Sequence, residues 1–501
     1  MSLKKWQIKL KIKHKELGLP WDEPVPEERW IEVAEYCDND VIATEAVFDY
    51  TAGDFRARQM LVTMTKSFRN INVCVNDTTN SITTKLIFGH ERQPKLNYVD
   101  LSKEFPGYEF VKTWNDKTQR YDKFNMYRGV DLKFGGYVYA EPGMYTDVVL
   151  MDVESMHPNS GIIMNYFGKY TPIFETIVKS RVYIKNGDLE SAKAVFNGVL
   201  KPFLDDPTMS DDVANALKIA INSVYGLTSA RFNNAFRDPQ NENNIIALRG
   251  ALFMKTLQDE LVERGLQVIH VKTDSIKVPN MDEIDIQFCH DFAAKYGYRF
   301  AHEYTFDRIC LVNNAVYVGK LDKHGIRNKG GKKANKWTAT GTQFKIPYVF
   351  KKLFSKEQVV FEDLCEVKQV KSSIHLNMNE STGVDDLKFV GRVGNFCPVL
   401  PGYGGGLLVK PVVKKDGSVS YDAVTGTKGY RWLEAEMVEE LDLMESIDIS
   451  YYNSMLDGAI DEINKYGDFE WFVGSQADEG LDDDYHEIDG VIDIEELSDN
   501  K

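Results

Sequence analysis

Residues 151–158, Met-Asp-Val-Glu-Ser-Met-His-Pro, and residues 272–275, Lys-Thr-Asp-Ser, decide the fold of this chain. Each stretch places one aspartate, Asp152 or Asp274, at the end of an apolar run that favours a β-strand. Two carboxylates held side by side at strand ends repel each other, and divalent cations relieve that repulsion. The pair therefore predicts the protein half of a two-metal site for phosphoryl transfer.

Helices are predicted between and beside these two strands. Apolar residues at helical spacing predict a helix over 174–200 and a second helix over about 211–225, which Ser210 caps. A long amphipathic helix over 244–264 precedes the second strand, and that strand returns on itself so that Asp274 lies on a hairpin. The other predicted elements are a helix over 26–50, a mostly β region over 51–145 and a last helix over about 450–466.

Composition places the chain among folded, multidomain proteins. Its 501 residues are 43% hydrophobic and 27% charged, and two to four domains are expected. No apolar run is long enough to span a bilayer, and no signal-peptide core follows the N-terminus. The six cysteines never stand at CxxC spacing, which predicts a reducing compartment without disulfides, zinc or iron–sulfur sites.

Charge is distributed unevenly along the chain. The net charge is −16, but residues 476–501 carry eleven acidic residues against one lysine. We expect this segment to be a solvated, disordered acidic tail. Residues 320–345 instead hold eight Lys or Arg against one Asp. Because local charge decides where phosphates bind, the net negative charge does not exclude a nucleic-acid partner.

The predicted helical hairpin carries cations at helical spacing. Arg181 and Lys185 share one helix face, and Lys218 shares a face with Asn222 on the second helix. Such pairs are usually solvated basic faces. Beside two aspartates they also suit a triphosphate, which accepts hydrogen bonds from Arg and Lys. After Asp152 we expect a helix that starts at Pro158, with main-chain N–H groups open to an anion.

A set of motifs occurs in the order 134–138, 152–159, 181–185, 218–226 and 272–275. They resemble, in that order, the Gly-Gly template-contact motif, motif A, the Arg-x-x-x-Lys signature, motif B and motif C of family B (polymerase-alpha-like) DNA polymerases of phage type. Motif B, Lys-x-x-x-Asn-Ser-x-Tyr-Gly, matches in full. The resemblance covers about residues 30 to 350 and implies an α+β right hand, with an antiparallel palm sheet, short helical fingers and a thumb.

The resemblance also implies roles for single residues. Asp152 and Asp274 would be catalytic and, with the Val153 carbonyl, would bind two Mg²⁺ ions, for which Mn²⁺ can substitute. The implied nucleotide-binding residues are Ser155, Met156, His157, Arg181, Lys185, Lys218, Asn222, Tyr225 and Gly226. The implied primer–template contacts are Gly135, Gly136, Thr273, Tyr317 and Lys320.

Three positions depart from the family pattern. His157 stands where the family has a tyrosine that blocks the sugar 2′-hydroxyl, so discrimination against ribonucleotides is in doubt. Lys272 replaces the first aspartate of motif C. The Lys-Lys-x-Tyr element that grips the primer is present only as Tyr317, and the basic run 320–336 is expected to compensate electrostatically.

The N-terminal region carries a second resemblance. Tyr36 and Asp40 match Tyr-x-x-x-Asp, the third motif of the ribonuclease-H-like 3′→5′ exonuclease domain. The first two exonuclease motifs have no room in this sequence, so we expect no proofreading from this polypeptide alone.

Together these patterns predict a DNA-directed DNA polymerase that extends a primer from dNTPs in viral DNA replication, in the cytoplasm of a bacterial host. The alternative is a catalytically weak DNA-binding subunit that needs a separate exonuclease-containing chain; replisome proteins are further possible partners. The predicted segments are an exonuclease remnant (1–50), a connecting region (51–145), palm (146–174), fingers (175–226), palm again (227–336), thumb (337–475) and tail (476–501).

Overall fold

The computed structural model describes residues 1–13, 16–19, 23–322, 335–379 and 385–474. The predicted acidic tail, residues 476–501, and most of the basic run, residues 323–334, lie outside these residues. The described residues form helices and antiparallel sheets, so the α+β class predicted from the sequence is confirmed.

A seven-stranded antiparallel sheet forms the centre of the molecule, in the order β10-β9-β8-β5-β7-β6-β4. Strand β5 lies in its middle, between β8 and β7. The strands of this sheet are β4 (Val138–Ala140), β5 (Gly143–Val153), β6 (His270–Lys272), β7 (Ser275–Pro279), β8 (Phe300–Leu311), β9 (Tyr317–Leu321) and β10 (Trp337–Ala339).

The side chains of β5 alternate between two cores because successive strand residues point to opposite faces. Val149, Met151 and Val153 join the large core that the helices cover. Val148 and Leu150 pack in a smaller cluster on the other face, with residues of β8 and β9. Asp152 is an alternate residue in the series Val148, Leu150, Asp152. Its side chain therefore lies on the same face of the sheet as those of Val148 and Leu150, at the end of the strand.

The helices of the N-terminal two thirds pack into the large core. Helix α9 has its buried side chains at helical spacing and packs against α3, α4 and α6. The helices of this part are α1 (Leu3–Lys9), α2 (Trp30–Tyr50), α3 (Ala52–Arg69), α4 (Thr79–Phe88), α5 (Met156–Ile163), α6 (Thr171–Lys185), α7 (Leu189–Ala194), α8 (Lys201–Leu204), α9 (Ser210–Ser229), α10 (Ile245–Glu263) and α11 (Glu283–Lys295).

Three sequence predictions in this part were wrong. The region 51–145 begins with the helices α3 and α4, and only its later part is β, with β1 (Glu109–Asn115), β2 (Arg120–Tyr127) and β3 (Val130–Asp131). The helix expected over 174–200 ends at Lys185, because Gly187 adopts a positive φ of 77°. Ser210 lies inside α9 rather than capping it.

The C-terminal part, which the sequence predicts to be a thumb, contains a five-stranded antiparallel sheet in the order β14-β13-β11-β12-β15. Helix α15 packs on α12 and α13 and matches the predicted last helix. The elements here are β11 (Glu366–Asn377), β12 (Leu387–Val399), β13 (Leu407–Val413), β14 (Val419–Ala423), β15 (Arg431–Glu434), α12 (Thr342–Lys345), α13 (Pro347–Phe350), α14 (Ala435–Glu440), α15 (Ile449–Asn464) and α16 (Phe469–Val473).

Candidate active site

The structure brings the two aspartates together at one end of the central sheet, Asp152 on β5 and Asp274 in the turn between β6 and β7. Asp152 pairs with Ser275 across β5 and β7, and the Val153 amide donates a 2.8 Å hydrogen bond to the Asp274 carbonyl. Adjacent strands lie about 4.8 Å apart. Both aspartate side chains are half-buried and therefore partly open to solvent. Residues 122 positions apart in sequence thus share one small region at the end of the central sheet.

The turn that carries Asp274 is held against the Gly-Gly segment. Thr273 has a φ of 56°, and its amide donates a 2.9 Å hydrogen bond to the Tyr137 carbonyl. Gly136 has a φ of 128°, and a Cβ there would lie 3.0 Å from Thr273 Cγ2. Gly135 has open space around it. The segment predicted to contact the template therefore lies directly beside the second aspartate.

The segment after Asp152 differs from the sequence prediction. Helix α5 begins at Met156, two residues before Pro158, and Ser155 precedes it in the left-handed conformation with a φ of 51°. The Met156 side chain is buried against Gly250 of α10. Only the main chain at Met156 is therefore placed to serve a ligand, because its side chain fills the core.

His157 and Tyr225 connect this segment to α9. Their rings stack with centroids 4.2 Å apart and an angle of 10° between their planes. Burial lowers the pKa of His157 to about 4, so the imidazole is neutral at physiological pH. Its Nδ1 is buried and has no hydrogen-bond partner among the described residues. A buried, unpaired ring nitrogen is a candidate contact for a bound ligand.

The predicted cations lie on α6 and α9, which pack against each other and against α5. Lys218, Asn222 and Gly226 follow one another along the exposed face of α9. Arg181 is half-buried on α6, burial lowers its pKa, and its Nε is buried without a hydrogen-bond partner in the described part of the chain. Lys185 is exposed at the end of α6. The predicted cations are therefore carried by the two helices that pack against α5, the helix that follows Asp152.

A buried lysine in this region was missed by the sequence reasoning. Lys277 of β7 is 3% exposed, and its ammonium donates to His270 Nδ1 at 3.0 Å. His270 Nε2 in turn lies 3.2 Å from the Asn314 carbonyl, so it carries the ring proton and donates. Lys277 also lies over the Tyr317 ring, 4.7 Å from its centroid. The sequence contained a sign of this residue, because Lys277 interrupts an apolar strand. It lies on the same face of that strand as Ser275, two residues before it.

Burial and neighbouring charge change the pKa values of this group. Burial, reinforced by the charge of Lys272, lowers the pKa of Lys277 to about 7, while Glu303 and Asp152 oppose the change. Burial and the charge of Lys277 lower the pKa of His270 to about 3. A neutral imidazole therefore accepts the hydrogen bond of Lys277 throughout the physiological range.

The two predicted primer contacts on β9 face different surroundings. The Tyr317 ring is half-buried beneath Lys277, and burial raises its pKa to about 12. Lys320 is half-buried, and its ammonium lies 6.0 Å from the ring centroid of Trp337. Tyr317 therefore packs with Lys277 and, at 6.2 Å between ring centroids, with His270.

Tyr36 and Asp40, the exonuclease-like pair, lie on α2 against α1. The Asp40 carboxylate accepts hydrogen bonds from Lys4 at 2.7 Å and from Gln7 at 3.0 Å. Lys4 also lies 4.2 Å from the centroid of the Tyr36 ring. Within the described residues, no three His, Cys, Asp or Glu side chains are grouped so that they could hold a metal ion. In this structure the pair joins α1 to α2.

No family model matches the chain, and no curated protein matches it. Among solved structures, the chain is similar to the family B DNA polymerase from the hyperthermophilic archaeon Pyrobaculum calidifontis, with 12% sequence identity and a TM-score of 0.40. The match covers 96% of this chain and 62% of that one, so the chain spans less than two thirds of the length of that polymerase. No helix in the described residues is long and apolar enough to cross a membrane.

Proposed function

We propose that this chain is a template-directed DNA polymerase that adds deoxynucleotides from dNTPs to a primer 3′-hydroxyl and releases pyrophosphate. The observation that carries the proposal is the placement of Asp152, at the end of β5, beside the turn that carries Asp274, with a main-chain hydrogen bond between the two segments. The complete motif B on α9, which reaches the same region through the His157–Tyr225 stack, supports it.

The donors in this region fit Mg²⁺. Asp152, Asp274 and the Val153 carbonyl supply oxygen ligands, and Mg²⁺ in phosphoryl-transfer sites is commonly held by one or two carboxylates plus substrate phosphates. The absence of a third clustered carboxylate among the described residues is therefore compatible with this metal. Two bound Mg²⁺ ions, or Mn²⁺ in their place, would lower the pKa of the primer hydroxyl and neutralise the leaving phosphates.

The remaining residues of the site would position the reactants. Arg181, Lys185 and Lys218 would hold the triphosphate, since a phosphate group accepts hydrogen bonds from both Arg and Lys. Tyr225 would face the nascent base pair, and movement of α6 and α9 would close the site once pairing is correct. The assigned nucleotide contacts also include Asn222, Gly226 and the main chain at Ser155, Met156 and His157. The assigned primer–template contacts are Gly135, Gly136, Thr273, Tyr317 and Lys320.

We place this activity in bacteriophage DNA replication, in the cytoplasm of the host. The decisive experiment is primer extension with purified protein, a 5′-labelled primer on a longer template, dNTPs and Mg²⁺. Asp274→Asn is expected to reduce extension by at least a thousandfold because it removes a metal-binding charge. Asp307→Asn, which alters an exposed ion pair on β8, is the matched control and is expected to keep full activity.

One observation favours a second function. Lys272, two residues before Asp274, places positive charge beside the aspartates, where it competes with a metal ion, and the buried Lys277 adds to this charge below its pKa of about 7. This favours a DNA-binding subunit with weak catalysis that acts with a separate exonuclease-containing chain. If wild type and Asp274→Asn are equally inactive and bind primer–template equally well, the polymerase proposal is wrong and this function replaces it.

A further inference from the structure

Helix α2 exposes an unusual amount of apolar surface. Of its 21 residues only Ala43 is buried. Apart from Tyr50 (56%), the large apolar side chains that it exposes are Trp30 (58%), Ile31 (77%), Val41 (66%), Ile42 (59%) and Phe48 (51%). Single exposed apolar residues are common on protein surfaces, but a contiguous set marks an interaction site.

These five side chains, which we name the α2 face, lie together on one side of the helix. At 100° per residue, Trp30, Val41 and Phe48 fall within about 20° of one line, and Ile31 and Ile42 form a second line about 100° away. A surface depression of about 560 Å³, partly lined by Val41 and Phe48, lies at the C-terminal half of this face. The α2 face therefore consists of two apolar lines with a shallow depression beside one of them.

The opposite side of α2 is already occupied by α1. Lys4 and Gln7 bind Asp40, and the Trp6 ring contacts the Tyr50 ring at 5.4 Å. Helix α1 thus fixes the orientation of α2 and leaves the α2 face directed outward.

Charge decides what can cover the α2 face. Residues 30–50 contain six acidic residues and no Lys or Arg. Asp38 and Glu45 lie between the two apolar lines of the face, and both are exposed. Nucleic acid would be repelled by this charge, and so would the acidic segment 476–501. A second copy of the chain, pairing through the same face, would bring these acids against each other.

We infer that the α2 face is the docking site for a separate protein chain whose contact surface combines apolar side chains with Lys or Arg. A 21-residue helix is about 31 Å long, so one such face is large enough to take part in a standard interface of roughly 800 Å² per partner. This inference does not depend on the polymerase proposal. A separate exonuclease-containing chain would have to present this kind of surface to bind here.

Two synthetic amphipathic helices can serve as probes. Both carry the same Leu face, and one has Lys while the other has Glu on its polar face. Binding of each fluorescein-labelled peptide to the full chain is measured by fluorescence anisotropy at 50 and 300 mM salt. Ile31→Glu and Ile42→Glu test the face. Ile284→Glu is the matched control, because Ile284 is 71% exposed on α11 beside acidic residues.

The Lys peptide is expected to bind wild type at least tenfold more tightly than the Glu peptide, and high salt is expected to weaken its binding. Ile31→Glu and Ile42→Glu should each weaken it at least tenfold, whereas Ile284→Glu should not. Equal binding of both peptides, or equal effects of all three substitutions, would overturn the inference. So would a dimer of the wild-type chain in sedimentation that Ile42→Glu dissociates, because a second copy would then be the occupant.

Discussion

Replacement of Lys277 by methionine should change how stability depends on pH. The folded pKa of this lysine is about 7 against 10.5 for an ordinary lysine. At about 1.36 kcal/mol per pKa unit, burial of the charged form costs on the order of 5 kcal/mol. Methionine has a similar length and fills an apolar site without charge. It leaves His270 Nδ1 without its donor, which costs about 1–3 kcal/mol.

The direction of the effect follows from proton binding. Between pH 7 and 10.5 the unfolded chain keeps the Lys277 proton, whereas the folded chain loses it near pH 7. The unfolded state then binds more protons, so the stability of the folded state rises with pH in this window. From pH 7 to pH 9 we expect a gain of about 2 kcal/mol in wild type from this group. The pKa values of His270 (about 3) and Tyr317 (about 12) lie outside that window.

Urea unfolding at pH 7, 8 and 9, followed by tryptophan fluorescence in the presence of EDTA, measures this difference. Lys277→Met should show a flatter dependence of unfolding free energy on pH than wild type, and should be the more stable protein at pH 7. Lys133→Met is the control, because Lys133 is 74% exposed and its removal should leave the pH dependence unchanged. Parallel pH profiles for wild type and Lys277→Met would refute the reasoning.

Three further predictions concern the site and its support. Gly136→Ala should destabilise the protein by about 1–3 kcal/mol and reduce primer extension, because its φ of 128° and its close neighbours exclude a Cβ; Gly135→Ala, in open space, should leave the urea midpoint unchanged. His157→Tyr should raise the ratio of kcat/KM for dNTPs to that for ribonucleotides, because the larger ring crowds a 2′-hydroxyl; an unchanged ratio would contradict this role. Arg249→Met, which removes a 1% exposed guanidinium paired with the 34% exposed Glu104, should lower the unfolding free energy by about 3 kcal/mol, against less than about 1 kcal/mol for the exposed Arg128→Met.

Much of the local structure was predictable because apolar residues recur along the sequence with the period of a strand or of a helix. The strand before Asp152, the hairpin at Asp274 and the long helix α10 each follow from the spacing of apolar residues and from Gly265 after the helix. The buried apolar residues of helices α3 and α4 also stand at helical spacing. The prediction of a mostly β region there was therefore a misinterpretation of a pattern that the sequence contains. The early end of α6 depends on the backbone conformation at Gly187.

By itself, the sequence determined which residues are candidates for chemistry, because motif spacing and strand alternation are local properties of the chain. Only the tertiary structure decided that Asp152 and Asp274 share one sheet end, since pairing across about 120 residues depends on non-local contacts. It also decided the burial of Lys277 and the exposure of α2. Both depend on what packs against a side chain, and a charged group changes its pKa only when neighbouring elements remove water from it.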